Sequence, residues 1–116
     1  MELELVRGEQ FPIEFEITDD SNNAINKEDL QDITFVVREF PEETSPVLFK
    51  KTLINEDIKG DNGVYSLNIN EEDTKDLNFG AYGCEIKVET KSGIIKKEVG
   101  TLIITKEYSM GYQNED

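Results

Sequence analysis

Apolar side chains fall on every second position through most of this chain. In Phe11–Ile17 (FPIEFEI), Phe11, Ile13, Phe15 and Ile17 share one face, while Glu14 and Glu16 share the other. Successive side chains of a strand point to opposite faces, so a two-residue period predicts half-buried strands rather than helices. Ile33, Phe35 and Val37 point one way, against Thr34, Val36 and Arg38. Tyr65, Leu67 and Ile69 alternate with Ser66 and Asn68. Tyr82, Cys84, Ile86 and Val88 alternate with Gly83, Glu85 and Lys87.

Turn chemistry separates these runs. Arg7-Gly8-Glu9 reads as a turn between the first two strands, and Asp19–Ala24 as a polar loop. Pro41 and Pro46 bound a third connection, and proline suits strand ends and turns. Asn62-Gly63, closing Gly60–Gly63, is a strong hairpin signal. Thr90-Lys91-Ser92-Gly93 predicts another hairpin. In the last strand, Ile95, Lys97 and Val99 have one parity, Leu102 and Ile104 the other; a bulge at Gly100 would restore the face.

Two stretches break the rhythm. Asn26–Asp32 and Asn70–Leu77 each begin with an asparagine cap, carry acids in the first turn and end near one inward leucine, Leu30 or Leu77. Acids suit the positive end of a helix, so each predicts a single helical turn. The sum is an all-β fold: an antiparallel β-sandwich of about seven to eight strands with one or two single-turn helices, which the corner around Tyr82 and Cys84 makes immunoglobulin-like. Residues 1–106 make the sandwich, and 107–116 a C-terminal tail that is either frayed or bound at an interface.

Composition narrows the chemistry. The 116 residues suit one domain with one core. Against 12 Lys and Arg stand 26 Asp and Glu, a net charge of −14. Such a surface disfavours nucleic acid, since binding phosphates requires cations that release their counterions. It disfavours anionic membranes likewise, and steers the protein toward basic partners. There is no histidine, hence no imidazole base or ligand. The single cysteine precludes an intrachain disulfide and a CxxC metal site. Its lone thiol fits a reducing compartment. The opening MELELVRGEQF interleaves acids with leucines, unlike a signal peptide, and no run nears the roughly 18 apolar residues of a membrane helix.

The stretch around Cys84 carries the sharpest choice: reactive thiol or sandwich corner. In immunoglobulin-like sandwiches a tyrosine two residues before a cysteine bonds a backbone group a few residues upstream. Here Leu77 would plug the end of the sandwich, Gly80 permit the tight turn with positive φ, and Tyr82 reach back. Cys84, of the same parity as Tyr82, would then be a small buried hydrophobe. A nucleophilic cysteine needs a cation or helix N-terminus beside it, and Glu85, Lys87 and Glu89 lie on the far face.

Weaker candidates follow. Asp57–Gly63 departs from a helix–loop–helix calcium site, since Lys59 replaces an oxygen ligand; a looser site, like one at Asp19, Asp20, Asp29 and Asp32, stays open. Paired carboxylates for glycoside hydrolysis need one acid in a cleft, whereas these acids fall in loops or at outward positions. The tail residues Tyr108, Met110 and Tyr112 have no inward partner and are candidate interface anchors. No catalytic group, metal or cofactor is expected.

The order of these features resembles a known family. Arg7-Gly8, Phe11, Ile17-Thr18-Asp19, Asp32–Arg38, Gly63-Val64-Tyr65, Glu72-Asp73-Thr74, Leu77, Gly80, Tyr82 and Gly100-Thr101-Leu102 are similar to the immunoglobulin-like N-terminal domain of phage baseplate upper proteins and related small phage tail proteins. The resemblance spans nearly the whole chain. Baseplate upper proteins continue into a linker and further domains that hold the receptor-binding protein, whereas this sequence stops at Asp116. The resemblance therefore implies the docking part alone. That is a non-enzymatic component of a phage or prophage-derived tail particle, assembled in the bacterial cytoplasm and carried in the virion. Its partners would be other phage structural proteins and copies of itself, with no nucleic acid or membrane. Three alternatives stand beside it: a capsid decoration protein, an acidic nucleic-acid-mimicking inhibitor of a DNA-binding protein, and a carbohydrate-binding module.

Overall fold

A computed structural model describes residues 1–106 of the chain. Its strands are β1 (Glu2–Val6), β2 (Phe11–Glu16), β3 (Leu30–Arg38), β4 (Val47–Thr52), β5 (Ile58–Asp61), β6 (Val64–Ile69), β7 (Gly80–Thr90) and β8 (Gly93–Thr105). One helical turn, α1 (Glu71–Thr74), joins β6 to β7. Two sheets result, ordered β1-β8-β7-β3-β4 and β2-β6-β5. Strands β2, β6 and β5 take the places of B, E and D in an immunoglobulin sandwich. Strands β3, β7 and β8 take those of C, F and G, with β4 extending that sheet. The fold is the all-β sandwich that the alternation predicts, with the immunoglobulin-like order of strands expected from the Tyr82 corner.

The alternating residues meet between the sheets. Ile33, Phe35 and Val37 of β3, Tyr65, Leu67 and Ile69 of β6, Ile86 and Val88 of β7, and Leu102 and Ile104 of β8 are all buried in one cluster. Burying each such side chain contributes roughly 1.5–3 kcal/mol. A one-residue slip of any strand would turn its whole set to solvent, so the core also specifies register. Tyr65 is fully buried, and its hydroxyl donates to the Ile25 carbonyl at 2.7 Å, which satisfies the one polar atom of that ring.

The β5–β6 hairpin turns on Asn62 (φ 55) and Gly63 (φ 86). Positive φ at both central residues marks a type I′ turn, whose twist matches the flanking strands.

Three expectations are corrected. First, the sandwich is not wholly antiparallel: β1 runs parallel to β8, Leu3 facing Leu102 and Leu5 facing Ile104. Turn residues 7–9, with Gly8 at φ 80, carry the chain from the large sheet across to β2. Second, no bulge occurs at Gly100. Pairing of β7 with β8 runs unbroken from Tyr82↔Leu102 through Cys84↔Gly100 to Val88↔Lys96, and shifts only between Val88 and Glu89. The inward slots of β8 beyond Gly100 are filled by Glu98 and Lys96, which stay 43% and 49% exposed. Strand β1 begins opposite Thr101, so this part of β8 is an uncovered edge that needs no apolar face. Third, the single turn expected after Asn26 does form, as a 3₁₀ segment, Lys27–Asp29, with Asn26 at its N-cap position and Leu30 buried, but Asn26 makes no side-chain cap bond and Leu30 already opens β3. The Lys27 amide donates to Asp61 Oδ1 at 2.8 Å instead. Pairing of β3 with β7 from Leu30 onward outweighs a helix too short to be stable alone.

Candidate functional site

The corner before β7 is built from residues local in sequence. Gly80 adopts φ 139, a conformation that disfavours any side chain. The chain then turns so that the Tyr82 hydroxyl donates to the Asn78 carbonyl at 2.5 Å. Leu77 and Tyr82 pack against the core, and Cys84 lies within it, 4% exposed. Burial pushes the Cys84 thiol up from 9.0 to about 11, and the nearby Glu98 carboxylate adds to the shift against the opposing pull of the N-terminus. A thiol held protonated at neutral pH is inert as a nucleophile.

Distant residues lock this corner. The Arg7 guanidinium donates to the Leu77 carbonyl at 3.1 Å and lies 4.1 Å over the Phe79 ring. The Gly8 amide donates to Thr74 Oγ1 at 2.9 Å, and Thr74 is fully buried. By sequence, Arg7-Gly8 reads only as a turn. Nothing local shows that its partner is the β6–β7 connection.

The candidate acidic sites hold backbone instead. Asp19 Oδ1 accepts from the amides of Ser21 and Asn23, both at 2.9 Å. Asp32 Oδ1 accepts from Ile33 and Ile54, and Asp57 Oδ2 from Thr52. Asp61 Oδ1 accepts from Lys27 and Asn62, bonds that hold its carboxyl below the usual range. Among the described residues, no group of three or more acidic, Cys or His side chains is arranged to hold a metal. Tyr108, Met110 and Tyr112 lie outside the described residues.

The outer face of the large sheet carries the main surface feature. Residues 39–46, between β3 and β4, fold back over β7 rather than out into solvent. Gly83 permits this, because a Cβ there would meet Pro41 Cα at 2.5 Å. Ser45 closes the loop, its Oγ accepting from the Phe40 amide at 2.8 Å and its carbonyl from Arg38 at 3.0 Å. A charge relay ties the loop down. Arg38 Nε lies 3.9 Å from Glu85, and Lys97 Nζ lies 3.5 Å from Glu85 and bonds Glu43. The Lys97 bond holds the Glu43 carboxyl below its ordinary value, and Glu43 in turn raises Lys97. Under the loop runs a groove of about 270 Å³, with Phe40, Pro41 and Val99 at its apolar wall. These charges neutralise one another, so the groove offers shape and apolar surface rather than a poised acid or base.

Exposed apolar side chains gather along the same sheet. Phe40 is 55% and Val99 63% exposed, and Val47 and Leu48 stand out from β4. Among the described residues, the large sheet ends in β4 on one side and β1 on the other, each pairing with one neighbouring strand, and Asp57 bonds the Thr52 amide and carbonyl on the outer flank of β4. The acids, by contrast, are spread: Glu2 and Glu4 on β1, Glu14 and Glu16 on β2, and further carboxylates in loops at both ends. No family model matches the chain, and no curated protein matches it.

Proposed function

We propose that this chain is a non-enzymatic structural component of a phage or prophage-derived tail particle, docking at the baseplate or tail through the flanks of its sandwich. One observation carries the docking role: exposed Phe40, Val47, Leu48 and Val99 lie along a single sheet whose outermost strands, among the described residues, pair with one strand each. Apolar surface gathered beside unpaired backbone is what a partner covers, by side-chain packing and by strand addition. The viral setting rests on the resemblance to the baseplate upper domain, which the immunoglobulin-like order of strands supports. The tail residues Tyr108, Met110 and Tyr112 serve as further anchors in this reading.

The corner residues have an architectural part here. Leu77, Gly80, Tyr82 and Cys84 keep one end of the sandwich rigid, and a rigid module binds without ordering itself first. Acids on both sheets speak against nucleic-acid mimicry, which needs phosphate-like spacing on one face. Phe79 is occupied by Arg7, which leaves few aromatics for a sugar platform.

Mass spectrometry of particles purified from the source strain tests the reading. The chain should appear in fixed stoichiometry with tail or baseplate proteins and co-sediment with them. Its absence from intact particles would overturn the viral assignment.

A further inference from the structure

The two edges of the large sheet are unlike. β1 offers Glu2 and Glu4, both exposed, while β4 offers Lys50, exposed and preceded in the strand by exposed Val47 and Leu48. All three charged side chains lie on the same face. Lys50 pairs across to Val36, which faces Glu85 and through it Val99 on the outer surface; Glu2 and Glu4 face Thr101 and Ile103 of that surface. The inward sets also correspond: Phe49 on β4, Leu3 and Leu5 on β1.

Strand direction agrees as well. β1 runs with β8, β8 against β7, β7 against β3, and β3 against β4. β1 and β4 are therefore antiparallel within one sheet. A second copy set beside the first in the same orientation would bring its β1 against β4 as an antiparallel pair, the easier ladder to form.

We propose that copies of this protein join edge to edge, β4 of one to β1 of the next, so that the large sheets continue across the junction. Lys50 then lies opposite or diagonal to Glu2 and Glu4 of the neighbour, within reach for cross-strand pairing. Phe49 meets the neighbour's leucines on the inner side. Charge also excludes the alternatives. Pairing β4 with β4 brings Lys50 against Lys50, and pairing β1 with β1 brings glutamates together; both are disfavoured. The contact is heterologous, so it repeats, closing into a ring or running on as a filament. It stands on the two edges and does not depend on the viral reading. The charge of −14 per copy opposes association, but at physiological salt it is screened beyond about 8 Å, whereas paired charges in a junction are not.

The test is sedimentation equilibrium of the full chain at physiological salt over a dilution series. It compares wild type, Lys50→Glu, the double variant Glu2→Lys/Glu4→Lys, and an equimolar mixture of the two variants. These are exposed positions, and circular dichroism checks that each variant is folded. Wild type should exceed monomer mass with rising concentration. Each variant should associate about tenfold more weakly, and the mixture should recover, because every junction in it can again join unlike charges. A wild type that stays monomeric at about 1 mM would overturn the proposal. So would association that the Glu2→Lys/Glu4→Lys change leaves untouched, which would assign it to another surface.

Discussion

Lys51 Nζ sits 2.7 Å from Asp73 Oδ2, joining edge strand β4 of the large sheet to α1 in the β6–β7 connection. Lys51 lies opposite Phe35 and faces inward, where a lysine needs a partner. Asp73 Oδ2 also accepts from the Asn70 amide at 2.7 Å, so one carboxylate both caps the turn and neutralises the lysine. Lys51 and Asp73 side chains are only 11% and 18% exposed, which keeps solvent from replacing either partner.

Removing one member should therefore cost more than removing both. Asp73→Ala is expected to destabilise by about 2–4 kcal/mol, leaving Lys51 buried without a counter-charge. Lys51→Met alone should cost less, since Asp73 keeps its amide. A double-mutant cycle by urea denaturation should show a coupling of about 1 kcal/mol or more between the two. Additive losses would mean the pair is not coupled.

Tyr82→Phe removes one hydroxyl and leaves the ring in place. The bond to Asn78 is replaced by solvent at a partly exposed carbonyl, so the loss should be about 1 kcal/mol. Tyr65→Phe strands the Ile25 carbonyl in the core and should cost more, about 2 kcal/mol. Urea midpoints at unchanged slope would establish both values and their order.

Gly83→Ala and Gly100→Ala should disturb different neighbours. At Gly83 the new methyl meets Pro41 and Phe40 backbone, so residues 39–46 must lift and the groove open. At Gly100 it meets the Met1 carbonyl, so the start of β1 must leave β8. The Thr101 amide, which donates to that carbonyl at 3.0 Å, should then lose hydrogen-exchange protection in Gly100→Ala and keep it in Gly83→Ala. Backbone clashes of this kind cost roughly 1–3 kcal/mol.

Cys84 should make stability fall at alkaline pH. Its thiol titrates near 9.0 in the unfolded chain and at about 11 when folded. Between these values the folded state holds a proton that the unfolded state has released, so stability declines as pH rises through that window. The contribution is fully present below pH 9.0 and amounts to about 3 kcal/mol. Tyr65, also raised by burial, adds to the decline, so wild type must be compared with Cys84→Ala. Cys84→Ala should start less stable at pH 8 and narrow the gap toward pH 11; a gap independent of pH would contradict the assignment.

The legible parts of this molecule are those whose partners lie close in the chain. Tyr82 finds Asn78 four residues back, and Asn62-Gly63 turns on itself. Both follow from residue type and spacing. The Arg7 contact with Leu77 spans 70 positions, and no local pattern reveals it. The misplaced bulge has a similar origin. Parity predicts burial throughout β8, but burial there depends on whether β1 lies alongside, and it does so only from Thr101 onward. Of the candidate surface, β4 escapes the alternation, because Val47, Leu48 and Phe49 are consecutive apolar residues. The groove over Gly83 exists only where residues 39–46 fold back.

By itself the sequence determined which faces of β2, β3, β6 and β7 turn inward, where most of the turns fall, and that Cys84 would be buried. Side-chain alternation and turn chemistry are local properties, and they suffice for that. Only the tertiary structure decided which strand lies beside which, that β1 joins the large sheet in parallel, and that Lys50 and the glutamates of β1 end on opposite rims of one face. The backbone ladder is the same for every residue, so pairing is chosen by the packing of the whole core, and with it the surface this protein presents to others.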